Sequence, residues 1–231
     1  MFHTVAPQWS DSVRISFQRP NNQTGLIKPQ NFGLPPSSGA NCPNKISTTD
    51  EKVLHPTGVI QPPVNCVNYF EFFDHPISFD VDLDSLQQSY REIVRELHPD
   101  RFATSTETER LYSDQQSSLI NAAYRVLCRP LQRAEYLLEL HGQPIGEHEH
   151  VEDAEFLMEM LELNELVVEL TDDTEQLRRI SQETNEKMDH CVRRMSKAFA
   201  RRDFAQMKDV AVRMRYFDRI VRNVNRQLGF G

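Results

Sequence analysis

Glycine is scarce in this chain, with 8 among 231 residues, and few stretches read as strands. Hairpin turns and phosphate-cradling loops are built on positive-φ residues, so an all-α protein is expected. No P-loop or dinucleotide-type glycine loop occurs. No nucleophile elbow or zinc-protease pattern occurs either, which removes the commonest legible routes to enzyme chemistry. The four cysteines, Cys42, Cys66, Cys128 and Cys191, are scattered and form no CxxC pair. Neither a four-cysteine zinc site nor a disulfide framework is indicated, and reduced thiols in an intracellular compartment fit best. No apolar run approaches the roughly 20 residues of a membrane span. A formal net charge of −8 disfavours general nucleic-acid binding. His148 and His150 resemble metal ligands in isolation, but in GEHEHVED they read as part of a solvated acidic loop. No metal site and no cofactor is expected.

What is present falls into three parts. Residues 1 to about 63 hold 9 of the 13 prolines, many Asn, Ser and Gln, and little periodicity. Such a stretch buries too little apolar surface to offset its ordering entropy, so disorder is expected there. Before Asp50 its only acid is Asp11, set against Arg14, Arg19, Lys28 and Lys45. Phe2, Val5, Trp9, Val13 and Phe17 are spaced for one weak amphipathic face. This composition resembles an organelle transit peptide, with a plain disordered tail as the alternative.

The second part runs from about 67 to 142. Tyr69 to Phe73 is an aromatic segment of one or two helical turns. Asp82 suits an N-cap, and Leu86, Tyr90, Ile93, Val94 and Leu97 keep helical spacing after it. A long helix is expected from about Glu107 to Leu127, with Leu111, Ile120, Ala123 and Leu127 on its buried side. Arg129-Pro130 breaks it, and Leu131 to Leu140 resumes before His141-Gly142 closes with a glycine C-cap. The third part reads as a three-helix bundle. Its first helix spans about Asp153 to Leu170. The second is capped by Asp172 with Glu175 and buries Leu177, Ile180, Thr184, Met188, Cys191, Met195 and Phe199. The third is capped by Asp203 with Gln206 and buries Met207, Val210, Met214, Phe217, Val221, Val224 and Leu228.

Between two of the helical segments lies His98-Pro99-Asp100. The proline ends the preceding helix, because its ring fixes φ and lacks an N–H. Imidazole and carboxylate then stand side by side at a loop tip. Acid–base chemistry needs a third partner and a pocket, which a loop tip lacks, so recognition is the better reading. Arg91, Arg95 and His98 are spaced by four and three and share one face of the helix, with Arg101 beyond. A basic face beside a fixed carboxylate suits docking to an acidic patch. A solvated helix face is the alternative, since Glu92 and Glu96 are interleaved.

The residues carry a resemblance. A short aromatic helix, a helix with basic residues, HPD, and a long helix ending near the AAY segment are similar to a J domain of the DnaJ type. INAAYRVLCRPLQRAEYLLELHG, FLMEMLELNELV and MRYFD, in that order, resemble the HscB family of iron–sulfur co-chaperones over roughly residues 66 to 228. The resemblance implies a J domain at 66–142, a helical hairpin with the HPD loop, and a scaffold-binding three-helix domain at 152–228. An L-shaped or elongated molecule is implied. Its partners would be a DnaK-type heat-shock chaperone, whose ATPase the J domain stimulates, and the iron–sulfur scaffold protein IscU. The chain would bridge the two without chemistry of its own. By resemblance His98, Pro99 and Asp100 are the essential loop, with Arg91 and Arg95 on its basic face. The resemblance and the acid-poor start imply the mitochondrial matrix, with a cytosolic pool left open.

Spacing also points to the second site. On the helix from Asp153, Phe156, Met160, Leu163, Val167 and Leu170 form one stripe at about 100° per residue. Leu157, Met158, Leu161, Glu162, Glu165 and Glu169 fall on the opposite side. The first stripe suffices to bury the helix, so the second is a surplus apolar patch rimmed by acids, a common mark of a partner site. The alternative packs Leu157 and Leu161 under the linker or against the J domain. The resemblance favours the interface, since those six residues match the family's scaffold-binding positions and Tyr216 matches another. One departure is that animal members often carry two CxxC pairs before the J domain, where this chain has only Cys42 and Cys66. Two rival functions stay open: a J protein for a different client, and a Cys/His metalloenzyme.

Overall fold

The computed structural model describes residues 68–98, 106–146, 149–170 and 173–229. Among them are seven α-helices and no strand, so the expected all-α class is observed. They are α1 (Tyr69–Phe72), α2 (Leu83–Glu96), α3 (Glu107–Cys128), α4 (Pro130–Leu140), α5 (Ala154–Glu169), α6 (Thr174–Ala200) and α7 (Phe204–Gln227). None of the described helices is long and apolar enough to cross a membrane. Pro99, Asp100, Arg101, His148, Asp172, Cys42, Cys66 and the whole proline-rich start lie outside the described residues.

Local chemistry sets the helix ends. Asn68 Oδ1 accepts from the Phe70 and Glu71 N–H groups and starts α1. Asp82 starts α2 by accepting from Asp84 and Ser85. Pro130 occupies the first position of α4, where its missing N–H costs nothing. Gly142 lies at φ 71 just past the end of α4, the left-handed geometry that glycine adopts without a Cβ penalty. The cap of α6 is Asp173, which accepts from the Gln176 N–H at 2.9 Å, one residue later than the expected Asp172. Asp203 caps α7 through the Gln206 N–H at 3.0 Å.

α2 and α3 pack together, and α1 lies on α3. Tyr90 stacks on Tyr124 at 4.0 Å, and its hydroxyl donates to Asn121 at 2.7 Å, tying α2 to α3. Tyr69 stacks on Tyr136 of α4 at 4.4 Å, and its N–H donates to the Tyr136 hydroxyl at 2.9 Å. Burial pushes the Tyr136 phenol up to about 12, so it remains a neutral group that can serve the backbone. One expectation fails. Leu111 is 54% exposed, and the buried positions on its half of α3 are Ser113 and Gln116. Leu111 precedes Ile120 by nine residues, about two and a half turns, which places it on the opposite side of the helix.

α5, α6 and α7 form the expected bundle, with α6 and α7 making its most extensive contact. Asp153 meets Arg213 at 3.2 Å, Phe156 packs edge-on to Tyr216 and Phe217, and Asn164 bonds Asn223 at 2.7 Å. Both series ascend together, so α5 and α7 run parallel. Glu159 instead pairs with Lys187, and Val167 shares a core cluster with Leu177 and Ile180, so α6 runs the other way.

α4 packs on α7 and α6 as well as on α3. Glu135 accepts from Arg215 Nε at 2.7 Å, and Asp80 accepts from Ser196 Oγ at 2.7 Å. His141 sits against Phe199 and Phe204. One core cluster therefore runs from Phe70 and Leu86 through Leu137 and Leu138 to Met195 and Met214.

Candidate functional site

Two surfaces carry the residues singled out above. The first lies at the end of α2. Arg91 and Arg95 are exposed, as is His98, the last described residue before position 99. Leu86 and Ile93 are buried beneath them, so the basic residues occupy the outer face of the helix. Arg95 stands in the last turn, where a cation favours the negative end of the helix dipole.

Both described flanks of positions 99–105 are anchored. On one side Leu97 is buried, its N–H donates to the Ile93 carbonyl, and its own carbonyl accepts from Ser113 Oγ at 3.1 Å. On the other, Thr106 and Glu109 form a capping box at the start of α3. The Thr106 N–H donates to Glu109 at 2.9 Å, and hydrogen bonding from Thr106 lowers the Glu109 carboxyl below its ordinary range. Polar Ser113 inside α3 thus has a reason: it satisfies a backbone carbonyl at the exit of α2.

The second surface is on α5. Phe156, Met160 and Val167 are buried, as the first stripe requires. Met158 is 60% and Leu161 54% exposed, and Glu162, Glu165 and Glu169 are exposed around them. Leu157 is half-buried and packs on the main core, so it belongs partly to the bundle. Tyr216 is half-buried, its ring 5.7 Å from Phe156 and close to the N-terminal half of α5.

The N-terminus of α5 is fixed against α7. Asp153 accepts from the Phe156 N–H at 3.1 Å and from Arg213, whose guanidinium also covers the Phe156 ring at 5.0 Å. The Phe156 hydrogen bond, reinforced by Arg213, lowers the Asp153 carboxyl. Glu149 is lowered similarly, first by Lys208 of α7. The segment leading into α5 is thereby held on α7 by two ion pairs.

Three residues escaped the sequence reading. Val168 is 56% exposed, seven residues beyond Leu161 and so on the same side of α5. The signal was present in the spacing but hidden in the Leu166-Val167-Val168 run. Arg133, inside the RPLQRAEYLL block, is only 5% exposed. It donates to the Leu127 carbonyl and lies over the Phe79 ring at 5.1 Å, joining the end of α3 to the loop before α2. Arg219 stands over Tyr216, with its guanidinium 5.9 Å from the ring. No group of three potential metal ligands converges among the described residues.

The two surfaces differ in character among the described residues. One is a basic helix face ending at His98, the last described residue before position 99; the other is an acid-rimmed apolar patch. Residues 76–136 match the DnaJ domain, and residues 152–225 match the HSCB C-terminal oligomerisation domain. The iron-sulfur cluster co-chaperone protein HscB of Homo sapiens is 36% identical over 162 residues, covering 70% of this chain and 68% of that protein. The co-chaperone protein HscB homolog of Vibrio atlanticus is 42% identical over 110 residues, covering 47% of this chain and 64% of that protein. The crystal structure of human co-chaperone protein HscB superposes with a TM-score of 0.72 at 30% identity, covering 84% of this chain and 98% of that one. With a DnaJ domain followed by the HscB-specific helical domain, this chain belongs to the HscB family of iron–sulfur cluster co-chaperones.

Proposed function

We propose that this co-chaperone bridges two proteins. The α2 face bearing Arg91 and Arg95, with His98, Pro99 and Asp100, docks on a DnaK-type chaperone and stimulates its ATPase. The α5 patch of Leu157, Met158, Leu161, Glu162, Glu165 and Glu169, with Tyr216, binds the scaffold protein IscU and brings it to that chaperone. Chemistry stays on the chaperone; this chain supplies binding energy and positioning. The docking module corresponds to residues 66–142 and the scaffold module to 152–228. The acid-poor start of the chain and the human relative support action in the mitochondrial matrix.

The observation that carries this reading is the exposure of Met158 and Leu161 on a helix already buried through its other stripe. Large apolar side chains ringed by carboxylates are what a desolvated interface centre with a charged rim needs. The acids suit a scaffold surface rich in lysine or arginine.

An ATPase assay with a DnaK-type chaperone tests both halves. The full chain is expected to stimulate turnover, and adding IscU is expected to raise it beyond the sum of the separate effects. Asp100→Ala is expected to abolish stimulation while leaving the melting temperature and IscU affinity unchanged. Undiminished stimulation by that variant overturns the docking assignment, and absence of synergy overturns the bridge.

A further inference from the structure

We propose that the partner seat on α5 is one wall of a longer groove shared with α7, and that Val168 and Arg219 belong to it. This rests on the scaffold-binding reading of α5. Because α5 and α7 run parallel, residues about sixty apart stand opposite each other: Phe156 with Tyr216, and Asn164 with Asn223. The Asn164–Asn223 bond, half-buried, crosses between the helices below the surface. Leu161 precedes it on the α5 wall and Val168 follows it, both more than half exposed. From Leu157 to Val168 the wall extends about 16 Å at 1.5 Å per residue. Apolar exposure therefore continues a full two turns beyond Leu161.

The charges on the two walls differ in sign. On α7, Arg213, Arg215 and Arg222 are each paired with a carboxylate. Arg219 and Arg226 are exposed, two turns apart, and have no ion pair among the described residues. On α5, Glu162, Glu165 and Glu169 are likewise exposed and without an ion pair among the described residues. Both rows are thus left unneutralised on either side of an apolar seam. The occupant that fits is a segment of the scaffold protein with an apolar ridge, cations on its α5 side and carboxylates on its α7 side. Such a two-signed rim admits the ridge in one direction only, because reversal places like charges together.

The test is calorimetric titration of the full-length chain with IscU, alongside melting curves. Val168→Gln and Arg219→Glu are each expected to weaken binding about fivefold, the scale of a peripheral contact beside a hot spot. Arg219→Lys should bind like the parent protein, and the Arg219→Glu loss should shrink as salt screens it. Leu161→Ala is the control for the underlying reading. If it weakens binding while Val168→Gln and Arg219→Glu do not, the seat ends at Leu161 and the groove is wrong. If Arg219→Lys fails as badly as Arg219→Glu, Arg219 only orients Tyr216, which overturns the charge argument. If Leu161→Ala also binds normally, the α5 reading itself falls and the groove with it.

Discussion

Replacing Met158 and Leu161 together by alanine separates interface from core on α5. These side chains are 60% and 54% exposed and belong to neither core cluster, so about half of each awaits a partner. Full burial of a leucine or methionine side chain contributes about 1.5–3 kcal/mol. The uncovered half is therefore worth about 1 kcal/mol per residue on binding, and the pair about 2 kcal/mol, or roughly thirtyfold in Kd. The same substitutions remove little folded-state packing, so the melting temperature should move by less than about 2 °C. Leu157→Ala is the contrasting variant. Leu157 is half-buried on the main core and should lose both stability and affinity. Titration calorimetry with IscU and differential scanning calorimetry read the two quantities on the same samples. An unchanged affinity with a melting temperature lowered by several degrees would mean that Met158 and Leu161 are packing residues, and the reasoning from exposure would fail.

Ser113→Ala removes the donor that serves the buried Leu97 carbonyl; a loss of about 1–2 kcal/mol is expected, read as a lower melting temperature and a higher concentration for half-maximal chaperone stimulation. Acid should loosen the starts of α3 and α5 and the segment leading into α5, because Glu109, Asp153 and Glu149 all have lowered carboxyl pKa values. Their contribution is complete above the ordinary carboxylate range of about 4 and is lost as pH falls through the lower folded values. Glu109→Gln should flatten the acid limb of the melting temperature plotted against pH, and an unaltered limb would count against the capping-box contribution.

Much of this architecture was legible because helices declare themselves by spacing. The buried sets of α5, α6 and α7 follow the three-and-four pattern nearly residue by residue, and Asp82 and Asp203 cap as the sequence reading expects. The misses have physical causes. Leu111 is apolar, but its angle from Ile120 puts it on the far side, and buried Ser113 and Gln116 on the inner side show that burial follows geometry and not hydrophobicity. Asp172 and Asp173 are equally good caps on paper, and only backbone hydrogen bonding selects Asp173. Exposure at α5 was legible as surplus, since one stripe sufficed for burial. Its continuation to Val168 was not, because three consecutive apolar residues blur which one faces out. The least legible feature was the docking of α4 on α6 and α7. Leu131, Ala134, Tyr136, Leu137 and Leu138 leave α4 apolar around much of its circumference, and a sequence does not say which neighbour takes each side.

That docking bears on how a bridging protein works. Two modules on a flexible tether raise the effective concentration of one partner near the other but leave their orientation free. Small or polar contacts between modules leave relative motion as the default expectation. Here α4 belongs to both sides: it packs on α3, takes the Tyr69 N–H through Tyr136, and presents Glu135 to Arg215 of α7. Asp80, just before α2, reaches Ser196 of α6, and Arg133 fixes the neighbouring Phe79 to the end of α3. The apolar core passes through these contacts without a break. Under the proposed bridging role, delivery of a scaffold in one orientation would follow from packing that resists hinge motion. The RPLQRAEYLL helix, which makes neither proposed partner contact, is the part of the sequence on which the geometry of the proposed bridging depends.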